Sequence, residues 1–197
     1  MRRTTVRKAA AGVTAAAAAL SLALLTAGPA AAAPAPGFLE PGGLPPHSSS
    51  AWFAGDVTQG LPDPETFCFE GALPDGDDTY HRDFHTDLDT HASQVTVTAP
   101  SAAEAERLAA RLEARAADCA ADWLRDNPGA TASWDDYGSH VYGVHTAPPE
   151  SENGVNLFGV ARVGATVTVV RWAEMGTLGQ APVDAFRTTL HTATNHL

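Results

Sequence analysis

The run His81-x-Asp83-x-His85 holds three side chains of the types that ligate a divalent metal, and their spacing of two places all three on one face of an extended strand. Two imidazoles and a carboxylate suit Zn²⁺ and would support metal-assisted hydrolysis. Neighbouring same-face side chains on a strand stand roughly 7 Å apart, so His81, Asp83 and His85 need a ligand from an adjacent strand to close a site. Without one, the alternation is the solvated outer face of a half-buried sheet. That plainer reading is the stronger, and no cofactor is expected.

Nucleophilic chemistry has less to work with. The chain has no G-x-S-x-G elbow, and beyond residue 32 it has no lysine for an S-x-x-K pair. His140 and His145 lie near Asp135 and Asp136 in sequence, but no serine or free thiol is marked by its context. Acid pairs such as Asp135-Asp136 and Glu150-x-Glu152 are simplest as solvated charges, not as a glycosidase pair. The expectation is a protein that is not an enzyme. An aromatic set, Trp134, Tyr137, Tyr142, Phe158 and Trp172, offers a ligand groove, although most such residues at strand spacing are core. Trp134 and Tyr137 are the ligand-binding candidates, because Asp135, Asp136 and Gly138 give their stretch an exposed character.

Charge narrows the partners. The 197 residues carry 12 Lys+Arg and 23 Asp+Glu, and four of the basic residues are Arg2, Arg3, Arg7 and Lys8. After residue 32, eight arginines face 23 acids, a formal −15. Phosphate binding needs clustered Lys/Arg, so nucleic acid and anionic membranes are excluded as partners. All eight histidines lie in this acidic part, and protonating them would move its formal charge from −15 to −7.

The early cations belong to an export signal. MRRTTVRK is a cationic n-region, Ala9 to Ala27 is uncharged with a Leu-rich centre, and Ala30-Ala31-Ala32 supplies small residues for cleavage after Ala32. Residues 1–32 thus read as a signal peptide, leaving a secreted protein with no membrane attachment after cleavage. In an oxidising compartment the two cysteines, Cys68 and Cys119, are expected to form one disulfide; their distance in sequence is unlike the C-x-x-C of zinc and redox sites.

These residues need positioning elements. Residues 33–50 are Pro/Gly/Ser-rich and read as an arm or linker, with Phe38, Leu39 and Leu44 available to dock. Residues 51–197 read as one domain. After a turn-rich stretch to Asp78, Tyr80 to Leu88 alternates as a strand and Ser93–Thr98 is its hairpin partner. Ser101 and Glu104 form a capping box for a helix whose stripe is Leu108, Leu112, Ala116, Cys119 and Trp123, stopped by Asn127-Pro128-Gly129. Strands are expected over 131–137, 140–146, 154–163 and 165–173, with a tight turn at Gly164 and a central position for the last. Val183, Phe186, Leu190, Ala193 and Leu197 make a closing helix. Strands, helix, strands, helix is an α+β fold with an antiparallel sheet.

That order, with Leu44-Pro45-Pro46, Cys68, Val95-Thr96-Val97 before an Ala/Glu/Arg-rich helix ending near Cys119 and Trp123, and the hairpin Val160 to Val170, resembles the PknH-like extracellular sensor domain of actinobacterial secreted proteins. The likeness spans roughly residues 38–197. It implies an antiparallel sheet with helices bordering a groove and an extracytoplasmic ligand. The kinase-attached form has a membrane anchor and two disulfides, which this chain does not display, so the resemblance implies free ligand binding or a partner role. The leading expectation is a secreted, monomeric, non-catalytic sensor-like or ligand-binding domain for an unknown extracellular small molecule or protein. A metal-assisted hydrolase on the His81/His85 face and an extracellular interaction or inhibitor module are the alternatives.

Overall fold

The computed structural model describes residues 37–197, so the signal peptide and its cleavage point lie outside the described residues. Among the described residues, eight strands build one antiparallel sheet: β1 Phe53–Ala54, β2 Thr58–Gln59, β3 Thr79–His85, β4 His91–Thr98, β5 Thr131–Asp136, β6 Val141–Ala147, β7 Gly154–Val163 and β8 Thr166–Met175. Their spatial order is β1-β3-β4-β8-β7-β6-β5, with β2 also paired to β3. Two helices, α1 Ala102–Asp126 and α2 Val183–Asn195, complete the α+β architecture. None of the described helices is long and apolar enough to cross a membrane.

β8 is the fourth of the seven strands in the main path, and Val167 to Val170 are all buried. A strand can be apolar on both faces only if both faces are covered. On one face Val167 and Val169 join Val95, Val97, Phe158 and Val160 beneath Leu108, Leu112 and Ala116 of α1. On the other, Val170 and Trp172 join Val155 and Leu157 beneath Phe186, Leu190 and Ala193 of α2. Gly159 of β7 lets α2 approach closely: a Cβ there would lie 2.8 Å from Leu190 Cδ1. Gly164 makes the β7–β8 turn with φ +56°, a left-handed conformation that costs glycine little.

The strands keep the expected order with shifted ends. β3 stops at His85 because Thr86 turns the chain: its hydroxyl accepts from the N–H of Leu88 (3.2 Å) and of Thr90 (3.3 Å). β4 consequently begins at His91, two residues before Ser93, and pairs His91 with His85. Ser101 caps α1 by accepting from Glu104 N–H at 3.2 Å, but Glu104 turns its carboxylate to Arg107 instead of completing a capping box. The helix ends at Asp126, where the Asn127 side chain donates to Trp123 O at 2.8 Å.

Phe38, Leu39 and Leu44 dock against the α2 side of the sheet. Leu39 N–H donates to the fully buried Gln94 side chain at 2.8 Å, and Arg82 donates to Leu39 O at 2.7 Å. The same Gln94 donates to Thr96 and Thr168 hydroxyls, so one amide ties the incoming chain to two strands. Gln94→Leu would leave the buried Leu39 N–H unpaired, at about 1–3 kcal/mol. The expected outcome is a lower urea midpoint with faster hydrogen exchange at residues 38–45 than in β8.

Cys68 and Cys119 form the expected disulfide, with Cα atoms 5.3 Å apart and a separation of 51 positions in sequence. It joins the loop before β3 to the inner face of α1. Cys68 has φ +71°, a left-handed conformation that costs a non-glycine residue about 1–2 kcal/mol; it sits inside the tight turn closed by Phe69 N–H to Thr66 O, and a second turn, Ala72 N–H to Phe69 O, follows. Replacing both cysteines with alanine is expected to lower unfolding free energy by about 4 kcal/mol in a urea titration. Limited proteolysis should then cut first within residues 61–78.

Candidate functional site

The candidate site follows from where α1 stops covering the sheet. α1 lies over β5, β6, β7 and β8. In the antiparallel register Asp83 pairs with Ser93, Ser93 with Arg171, Arg171 with Phe158, and Phe158 with Tyr142. Residues opposite one another across a sheet share a face, so this is a single row running from β3 to β6 on the α1 side. Its Phe158 and Tyr142 end belongs to the core under α1, while its Asp83, Ser93 and Arg171 end lies under the loop that carries Cys68.

Between that loop and the strands is a cleft of about 500 Å³, with Thr66, Phe67 and Glu70 on the loop side and Asp83, Ser93 and Arg171 on the sheet side. Arg171 is the strand residue in phase with the buried Val167 and Val169. Its Nε donates to Asn156 Oδ1 at 2.8 Å, and its guanidinium carbon stands 5.9 Å from the centre of the Phe67 ring. Burial holds the Arg171 pKa below the usual arginine value, with the nearby Glu70 and Asp83 carboxylates acting in the opposite direction. Among the described residues Arg171 forms no ion pair, and its two terminal amino groups make no hydrogen bond. Thr66 on the opposite wall is 4% exposed and its hydroxyl has no hydrogen-bond partner. A half-buried cation with free donors, across the cleft from a buried hydroxyl without a partner, is an arrangement that a polar ligand can complete.

A second hollow of about 420 Å³ lies between residues 71–79 and the start of α1. Its charged lining is Asp75, Asp77, Asp78, Glu104 and Arg111, on exposed positions, without a buried charge to fix a ligand.

The residues singled out from sequence are distributed differently. His81, Asp83 and His85 do share the α1-side face of β3. His81 Nδ1 is 2.8 Å from Gly60 O, and the His85 ring stacks on Phe53 with centroids 5.5 Å apart. Among the described residues no three His, Cys, Asp or Glu side chains converge as a metal would require. Trp134 stacks on Tyr142, 6.4 Å between centroids, on the α1 side of the sheet. Tyr137 follows the end of β5 and packs with the core under α2, beside Gly143. The sheet therefore separates the two aromatic candidates, and neither lines the cleft at Arg171.

Sequence reasoning passed over Arg171, although a charged side chain in phase with valines on a central strand is itself a signal. It also passed over Glu113 on α1. His140, whose φ is +61°, reaches Glu113 at 2.6 Å between Nδ1 and Oε1, instead of the Asp135-Asp136 pair beside it in sequence.

No family model and no curated protein matches the chain. Among solved structures it is similar to the extracellular domain of PknH from Mycobacterium tuberculosis, with a TM-score of 0.42 and 13% identity, over 75% of this chain and 87% of that one.

At the α1 end of the row, burial raises the Tyr142 pKa to about 12 from its usual 10.0, helped by the negative charges of Glu113 and Asp136. The unfolded chain therefore releases this proton first. The stability contributed by neutral Tyr142 is complete below about pH 10 and is lost as pH rises towards 12. Tyr142→Phe is expected to make the fall of Tm with pH shallower across that window. Tyr137, also raised by burial, will retain part of the slope.

Proposed function

We propose that the chain is a secreted, non-catalytic, sensor-like domain that binds a small extracellular molecule in the cleft over Arg171. The observation that carries this reading is the guanidinium itself. Withdrawing a charge from water even in part is costly unless it is paired, and the half-buried Arg171 has only one protein hydrogen bond, to Asn156. Its free donors face a cavity of ligand size. The disulfide agrees with an oxidising compartment, and both cysteines are consumed by it, so neither serves as a nucleophile. The domain works as a monomer and, with its acidic surface, without nucleic acid or membrane as partner.

A metabolite library screened by thermal shift, on protein purified from culture supernatant, tests this. Binders are expected to raise Tm in the wild type and to lose most of that shift in Arg171→Lys and Asp83→Asn proteins. Binders whose shifts survive both substitutions would move the site elsewhere, and a library without binders would count against a ligand-binding role. Native mass spectrometry of the same material should show a chain lacking residues 1–32 with the disulfide closed.

A further inference from the structure

The charge pattern of the cleft specifies more than that a ligand binds there, an inference that rests on the reading above. We infer that the cleft selects a small zwitterion, carrying a carboxylate and an ammonium group a few bonds apart, as a free amino acid does. The deep end is built for the carboxylate. Asn156 holds Arg171 Nε at 2.8 Å and the Phe67 ring lies beside the guanidinium, which fixes the planar group and leaves its two terminal amino groups available. A guanidinium edge donating two parallel hydrogen bonds matches a carboxylate in shape as well as charge.

The rest of the lining has the opposite sign. Four carboxylates, Asp63, Glu65, Glu70 and Asp83, border the cleft against the single guanidinium. Glu65 is partly occupied by Gly71 N–H at 2.8 Å. His91 adds a positive charge only when protonated. A simple anion gains at Arg171 but enters a field dominated by carboxylates. A simple cation gains at the rim but must lie against the half-buried guanidinium. A zwitterion is favoured at both ends.

The sheet register supplies a suitable separation. Asp83 lies two strands from Arg171 with Ser93 between them on the same face, about 10 Å apart at the backbone by strand spacing. Both side chains extend from that face into the cleft, which shortens the span a ligand must bridge. Ser93 and the buried Thr66 hydroxyl provide uncharged partners along the way. The volume of about 500 Å³ accommodates an amino acid with its side chain.

The test is calorimetric titration of the purified secreted protein with the standard free amino acids, with their N-acetyl derivatives, which keep only the carboxylate, and with their amides, which keep only the ammonium. At least one free amino acid is expected to bind, and each of its two blocked forms to bind at least about tenfold more weakly. Asp83→Asn, at an exposed position that the fold does not depend on, should reduce the preference for the free amino acid over its N-acetyl form. Arg171→Lys should reduce the preference over the amide. Equal affinity for a free amino acid and either blocked form overturns the inference. So does the absence of amino acid binding when a different metabolite protects the protein in an Arg171-dependent way, a result that leaves the ligand-binding reading intact. Failure of every compound class to bind overturns both.

Discussion

The constraint on which this structure depends is that a sheet buried on both faces is wider than the helix covering one of them. β8 is apolar on both sides and cannot tolerate water on either. α1, although 25 residues long, lies mainly over β5 to β8 and reaches β4 only at Val95 and Val97. The same face of β3 and of the start of β4 must be closed by something else, and the chain uses the irregular loop before β3. Such a loop has few hydrogen bonds of its own and would be easily displaced. The disulfide from Cys68 to α1 secures it, so two unlike covers, a helix and a loop, act as one roof.

A roof in two parts has a seam, and Arg171 lies in it. One strand position closer to the turn, in the same phase, Val169 is under the roof and fully apolar in its surroundings. At Arg171 the surroundings become Asn156, Phe67, Glu70 and Asp83. A leucine would cost less to desolvate at this half-buried position, and replacing desolvated charges by apolar groups is commonly neutral or stabilising. The guanidinium is thus poorly explained by stability alone. The opposite face makes a useful contrast. Its buried polar group, Gln94, is satisfied by the incoming chain and by Thr96 and Thr168, as a structural polar residue should be.

Most elements were legible in sequence because each is specified within a few residues. The 3.6-residue stripe from Leu108 to Cys119, the Gly164 turn and the cap at Ser101 are local events, and the strands of the β7–β8 hairpin needed only alternation to be placed. Errors fell where a side chain made a local choice that composition does not reveal. Thr86 used its hydroxyl to end β3, and Glu104 paired with Arg107 instead of completing the capping box that Ser101 begins. The site was harder to read. His81, Asp83 and His85 were correctly placed on one face, but His81 bonds Gly60 and His85 stacks on Phe53, partners distant in sequence. Trp134 and Tyr137 are three residues apart and lie on opposite sides of the sheet, because an odd spacing along an extended chain alternates faces.

By itself the sequence determined the order and type of the elements, the pairing of the two cysteines and the acidity of the surface, since these depend on periodicity, on there being only two thiols, and on counting. Tertiary structure alone decided which half of each face the helices would cover and which the loop before β3 would have to close. That outcome depends on strand order, and strand order brings β8 back between β4 and β7 through contacts more than 70 residues apart in the chain, as between Ser93 and Arg171. Arg171 is an ordinary member of a Val-rich strand until those contacts form. Only then does it become the charged floor of a cleft.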